Sequence, residues 1–304
     1  MITPRFVPTS AVGVALAAAA LLGQPAPATA QSVERTMFVS ALGANGAPVE
    51  QLAPSDVMVR EDGVAREVLR VRRATTPMQI AVLVDNSAAT SPDITNLRDA
   101  ILSFVKAMAP GNEVSLVAYA DRPTILTNPT ANLVLLEQGV GRIFAQPNSG
   151  GYVLDAILEA CRGFVKRGAE RPVIVVFATE TVEFSHAHAD QVIDELKAAG
   201  AALHALFLTR GGGGDLSNTE LRNRAVVFDR GTRETGGQRV DLLSSMGYTA
   251  VAKTLAAELS GQFEVVFARP ASLIPPSTTT VESASPGLTV RGVLARAPAR
   301  APGA

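Results

Sequence analysis

The chain has 304 residues, enough for one large domain and a smaller companion. Apolar residues make up 47% and charged residues 18%, a balance that excludes an intrinsically disordered protein. Formal net charge is −1, far from the basic face that nucleic-acid capture requires, and with no Trp and 3 Tyr there is no aromatic platform for stacking bases or sugars.

The first thirty residues have the layout of a secretory leader. Arg5 supplies a positive start, Ala11–Gly23 an apolar core, and Ala28-Thr29-Ala30 a small-residue cleavage site before Gln31. The core is short for a bilayer span, which argues against an uncleaved anchor. No Cys follows it, so a lipid anchor is not expected. The mature chain is expected to be exported, periplasmic or secreted, with no stable membrane insertion after leader cleavage. Cys161 stands alone among Leu154, Ile157, Leu158, Phe164 and Val165 at helical spacing, and reads as a buried structural thiol.

Residues 31–76 read as β-rich. Thr36–Leu42 is a strand, Asn45-Gly46 a turn, and Val57 and Val59 alternate before the turn Glu61-Asp62-Gly63, with Val64–Val71 as the hairpin partner. The apolar run Ile80–Val84 then halts at Asp85, as expected of a strand buried on both faces of a parallel sheet. Pro92–Met108 is a helix, with Ser91 as its cap and Ile94, Leu97, Ile101, Phe104, Val105 and Met108 on one face. Glu113–Tyr119 is a strand and Thr124–Leu126 an antiparallel edge. Helices follow over Leu133–Phe144 and Tyr152–Arg167. Strand Val173–Ala178, helix Ala189–Ala199 closed by Gly200, and strand Ala202–Leu208 come next. The four-glycine stretch in Arg210–Asp215 reads as a surface loop. Thr219–Glu234 and Met246–Leu259 read as helices separated by Gly236-Gly237, and Phe263–Ala268, Ser277–Val281 and Leu288–Leu294 as closing strands. Residues 296–304, rich in Ala, Pro and Arg, read as a disordered tail. Strand–helix alternation over 77–262 predicts an α/β domain, a mostly parallel sheet with helices on both faces. The small β-rich flanks, 31–76 and 263–295, are expected to pair with each other.

Three strand-end loops carry a specific pattern. Asp85-x-Ser87-x-Ala89 follows the first buried strand, Gly150-Gly151-Tyr152 opens a helix whose next turn contains Asp155-Ala156, and Thr179-Glu180-Thr181 follows the third buried strand. Together they resemble the metal-ion-dependent adhesion site of von Willebrand factor A domains, and the lead-in ending in Glu61-Asp62-Gly63 resembles that of a bacterial exported family with an acidobacterial-type A domain. The resemblance implies a Rossmann-like A fold from Met78 to about Phe263. It also implies a crest of loops that binds another protein, with Asp85, Ser87, Gly150, Gly151, Tyr152 and Glu180 at the binding surface. In the intact pattern two serines, a threonine and two aspartates hold the cation, whose shell is completed by a partner's carboxylate. Here Ala89 replaces a serine, Tyr152 the threonine and Glu180 an aspartate, so the metal set is reduced to Asp85, Ser87 and Glu180.

Magnesium demands near-octahedral oxygen geometry and tolerates such losses poorly. No cofactor is therefore expected, with Mg²⁺ or Mn²⁺ as the alternative. Asp85 and Ser87 can instead cap the following helix and satisfy loop amides. Glu183, His186 and His188 could bind zinc, but His at i and i+2 share a face only in an extended segment, and with no closed ligand set a solvated loop is the preferred reading. Asp121 suits a turn or the acidity of the crevice, and His204 a packed strand position. Enzyme chemistry finds little support, since there is no Gly-x-Ser-x-Gly elbow, Walker loop or His-Glu-x-x-His motif. The leading expectation is an exported, noncatalytic protein-binding module. A metal-dependent adhesion domain and a hydrolase using the acidic crevice are the alternatives.

Overall fold

The computed structural model describes residues 1–2, 32–210, 218–271 and 273–296. The leader pattern, the four-glycine stretch and residues 297–304 of the tail lie outside them. The architecture is α/β. A six-stranded sheet of order β10-β9-β8-β5-β6-β7 is built from β5 (Gln79–Val84), β6 (Glu113–Ala118), β7 (Thr124–Thr130), β8 (Pro172–Thr179), β9 (Ala202–Leu208) and β10 (Arg239–Leu242). All its pairings are parallel except that of β7 with β6. The strands at its centre are almost wholly apolar because both faces are covered.

Helices α1 (Ile94–Met108), α2 (Leu133–Gly141) and α7 (Tyr248–Ser260) pack on one face, where Phe104, Val105 and Leu255 meet Val82 and Phe177. Helices α3 (Val153–Arg167) and α4 (Ala189–Ala199) cover the other with Ile157, Phe164 and Ile193 against Leu83, Ile174 and Leu203. Cys161 is a buried free thiol in this second core. The segment after β9 runs as α5 (Thr219–Val226), a π turn (Val227–Gly231) and the short α6 (Thr232–Glu234), in place of the single expected helix. Among the described residues no helix is long and apolar enough to cross a membrane.

Strands from the two ends of the chain interleave in two smaller sheets. β11 (Phe263–Pro270) lies between β1 (Ser32–Leu42) and β4 (Val68–Arg73), and β13 (Thr289–Leu294) extends the other edge of β1. β2 (Val57–Glu61) lies between β3 (Val64–Arg66) and β12 (Thr279–Ser283). Their inward residues, among them Met37, Val59 and Phe267, form a separate core. The expected hairpin Val64–Val71 is not one strand. β3 ends at Arg66, and the chain turns at Glu67 so that Val68–Arg73 joins the other sheet, where Ala268 N–H donates to Glu67 O (2.9 Å).

A buried polar seam joins these sheets to the α/β body. Arg171, 4% exposed, donates to Thr76 O (3.0 Å), Leu259 O (3.1 Å) and Gln262 Oε1 (2.7 Å), and Gln262 Nε2 donates to Ser40 Oγ (3.0 Å). Nearby, Arg291 on β13 pairs with Glu258 on α7 at 2.7 Å. Gly236 completes the junction. Its φ of +71° suits glycine, and a Cβ there would lie 2.1 Å from the Gly292 carbonyl carbon on β13. Gly111 has a similar φ of +79° in open space. Gly111→Ala should therefore cost about 1 kcal/mol, the backbone term alone, and Gly236→Ala about 3 kcal/mol or more. Urea denaturation of the two variants measures the difference, and equal losses would mean that the junction yields freely.

Candidate binding crest

β5, β6, β8, β9 and β10 run parallel, so the loops after them gather at one edge of the sheet. The chain leaves β5 in one direction to β6 and β7 and returns on the other side at β8, which places a switch point between β5 and β8. Asp85 spans it. Its Oδ1 accepts from Ser87 N (2.8 Å) and its Oδ2 from Thr179 N at the end of β8 (3.1 Å). The residue is fully buried, and burial raises its pKa against the lowering effect of those hydrogen bonds.

Ser87 is also fully buried, but it does not cap a helix through its side chain. Its hydroxyl lies 3.2 Å from Thr181 Oγ1, and its carbonyl receives both Thr90 N (3.0 Å) and Thr90 Oγ1 (2.8 Å). Residues Ala88–Asp93 consequently form a 3₁₀ turn, and the α-helix starts at Ile94, later than the expected Pro92. Of the two capping roles expected for Asp85 and Ser87, only the binding of loop amides by Asp85 is present.

The glycines of the second loop have a packing reason. Gly151 bridges Ala120 on one side and Glu183 on the other, with Gly151 N donating to Val182 O (2.8 Å) and Phe184 N to Gly151 O (2.8 Å). A Cβ on Gly150 would lie 2.4 Å from the Phe184 ring and 2.9 Å from Val182 O. Tyr152, half-buried, precedes α3 and tilts against Phe184 with ring centroids 5.9 Å apart.

Glu180 leans away from Asp85. Its N–H donates to Leu208 O (3.0 Å) and its Oε2 accepts from Arg210 N (2.9 Å), both on the β9 side of β8, whereas Asp85 is on the β5 side. The guanidinium of Arg210 reaches back over the first loop to Asp93 and to Ala89 O. Among the described residues no three His, Cys, Asp or Glu side chains gather closely enough to hold a metal ion. With both Asp85 oxygens engaged by amides and Glu180 turned aside, the donors do not fit an octahedral cation.

Residues 181–189 alternate strictly between outward and inward. Phe184, His186 and His188 face out, and Glu183, Ser185 and Ala187 face in. The two histidines and Glu183 therefore lie on opposite sides, which removes the zinc set. Glu183 is not solvated either, being only 1% exposed. Its Oε1 accepts from Val153 N (3.1 Å) and Ser185 N (3.3 Å) and so holds the start of α3. Its period-two surroundings were the available signal for this burial. Arg224, from the polar-looking α5, is 7% exposed beneath the crest and donates to Thr181 O (2.8 Å), a role that sequence reasoning missed. Asp121 occupies a left-handed turn (φ +58°) at the surface. His204 is wholly buried in β9, and among the described residues neither ring nitrogen has a hydrogen-bond partner.

Residues 80–180 match the family model of the von Willebrand factor type A domain. Among solved structures the chain is similar to a von Willebrand factor type A protein from Catenulispora acidiphila, with 11% identity and a TM-score of 0.50 over 86% of this chain and 73% of that one. It is also similar to the vWF domain of the type V pili tip protein Mfa5 from Porphyromonas gingivalis (12% identity, TM-score 0.45, 60% of this chain and 95% of that one). A third likeness is to the conserved hypothetical protein BatB from Bacteroides thetaiotaomicron (16% identity, TM-score 0.42, 60% and 98%). At such identities the likeness concerns the fold. No curated protein matches the chain.

The buried acid predicts a pH dependence. Burial lifts the Glu183 carboxyl from 4.5 to about 7, against the lowering effect of Ser185, Arg224 and Val153. The folded chain then holds this proton more tightly than the unfolded chain. The resulting stability is present in full below pH 4.5 and is lost as pH rises through about 7, at a cost of about 3 kcal/mol. His204 has the opposite sign, because burial lowers its pKa from 6.5 to about 4 and its contribution is lost as pH falls across that window. Glu183→Gln should therefore gain on the wild type by about 3 kcal/mol between pH 4.5 and 8. Urea denaturation across that range tests this, and a constant difference would refute it.

Proposed function

From a chain whose residues 80–180 form a von Willebrand factor type A domain, we propose an exported, noncatalytic module that binds another protein at the crest without a metal ion. The observation that carries this reading is the contrast at the crest between spent polar groups and free apolar ones. Asp85 and Ser87 are wholly buried and bonded within the loops, while Val182 and Phe184 beside them are about half exposed. Leu243 and Met246 protrude from the loop after β10, which Ser245 ties to Asn96 of α1 (2.8 Å). Phe144, likewise exposed, has its carbonyl bonded to Asn86 (3.3 Å). Exposed apolar side chains clustered on one edge suit a protein interface. Recognition would proceed by shape and apolar contact around Tyr152, Phe184 and Met246, with Gly150 and Gly151 holding the second loop close.

The same burial supports a noncatalytic role. The carboxylates of Asp85 and Glu183 are sequestered, and burial pushes the Cys161 thiol up to about 12, so it is not an activated nucleophile. Export is inferred from the leader pattern, and a periplasmic or secreted partner follows from it. The metal-dependent alternative draws on one observation, the Ser87 and Thr181 hydroxyls meeting beside Asp85. It would require Glu180 to turn from Arg210 toward Asp85.

Capture of a partner from an exported-protein fraction separates these readings. Binding should be equal in Mg²⁺ and in EDTA, fall at least tenfold in the pair Val182→Ser and Phe184→Ser, and persist in Leu69→Ser on the flanking sheet. Loss of binding in EDTA would favour the metal-dependent form. Capture indifferent to the crest variants would overturn the crest as the binding surface.

A further inference from the structure

The place beneath the crest where a cation would balance buried acids is already served by a side chain. We infer that the guanidinium of Arg224 is the built-in cation of this crest, neutralising Glu183 and tying the third loop to α5. Arg224 Nη1 donates to Thr181 O at 2.8 Å and lies 3.8 Å from Glu183 Oε2. That oxygen is buried and has no hydrogen-bond partner among the described residues, and the Arg224 charge offsets it. Both side chains are at least nine-tenths buried.

The contacts run through all three loops. Glu183 Oε1 receives the Val153 and Ser185 amides, Thr181 Oγ1 meets Ser87 Oγ, and Ser87 N bonds Asp85 Oδ1. Asp85, Ser87, Thr181, Arg224, Glu183 and the start of α3 thus form one connected polar path. The guanidinium also lies 5.6 Å from the centre of the Phe207 ring, within reach of a cation–π contact. An exchangeable metal would make such a crest depend on the surrounding ion concentration. A guanidinium, permanently charged and covalently part of the chain, makes it independent of that concentration. Arg224 is in this sense a positioning residue, acting on the crest through Thr181 and Glu183. The inference concerns how the crest is held and stands whether or not a partner binds there.

Thermal melts of the full chain at about pH 8, where Glu183 carries its charge, test it. Arg224→Met keeps the aliphatic bulk and removes the charge, and should lower the melting temperature by roughly 10 °C. Arg224→Lys, which keeps the charge, should recover most of that loss. In a Glu183→Gln background, Arg224→Met should cost at most half as much as it does in the wild type, because the uncompensated carboxylate is gone. Losses that simply add would mean that Arg224 acts by packing, and would overturn the inference. Should Arg224→Met be insoluble, a soluble double variant supports the inference and an insoluble one refutes it. The wild-type melting temperature should be the same in Mg²⁺, Mn²⁺ and EDTA. A metal-induced rise that disappears in Asp85→Asn would show that an exchangeable cation holds the crest. Partner capture plays no part in these measurements, so they fail or succeed separately from the binding proposal.

Discussion

The hydrogen bonds that the two oxygens of Asp85 accept from its own loop and from the end of β8 are the constraint around which the crest is built. An open parallel sheet splits its crossover connections at the switch point and leaves a notch between the two central strands. In this chain the notch is closed from below by a buried carboxylate that accepts Ser87 N and Thr179 N. Once Asp85 is committed in this way, Ser87 turns to Thr181 and the first loop tightens into a 3₁₀ turn. The third loop then extends as an alternating ribbon beside Gly150-Gly151. Tyr119 and Tyr248 brace the same region from within, donating to Phe177 O (3.2 Å) and Ala178 O (2.8 Å). Most of the polar groups of the crest are turned inward and bonded within the loops.

That arrangement explains why changes that look damaging in the sequence need not be damaging in the fold. Ala89 and Tyr152 stand where the resembled pattern has hydroxyls, and the buried carboxylates beside them are met by backbone amides and by Arg224. Tyr152 is accommodated because its ring leans on Phe184, and Phe184 is accommodated because position 150 has no Cβ. The substitutions form a consistent set. In the proposed reading, a protein surface built from Phe184, Val182 and Met246 would depend on shape rather than on a shared ion.

The flanking sheets add a second constraint. Strands before and after the α/β body share two small sheets, so the ends of that body are held together through β1, β4 and β11. The seam is unusually polar for an interior. Arg171 donates to Gln262 and Gln262 to Ser40, Glu258 pairs with Arg291, and Gly236 lets the α6–β10 turn approach the backbone of β13. Buried polar contacts of this kind favour one relative placement of the two parts, because any slip leaves a charge or amide without a partner.

The sequence alone carried the α/β order, the buried strands Ile80–Val84 and Ala202–Leu208, the helix Ala189–Ala199 and the register of the three crest loops. These are set by hydrophobic period and by local turn residues, which are readable without knowing the partners. It did not carry the break at Glu67, the late start of α1 at Ile94, the burial of Glu183 or the role of Arg224. Each of those depends on what another part of the chain offers: an open position beside β11, a carbonyl at Ser87, an amide at Val153, an unpaired oxygen on Glu183. A short charged helix such as α5 has the same pattern whether its arginine faces water or a buried carboxylate. Only packing decides which, because the cost of an unpaired charge arises only once the surrounding chain has excluded the solvent.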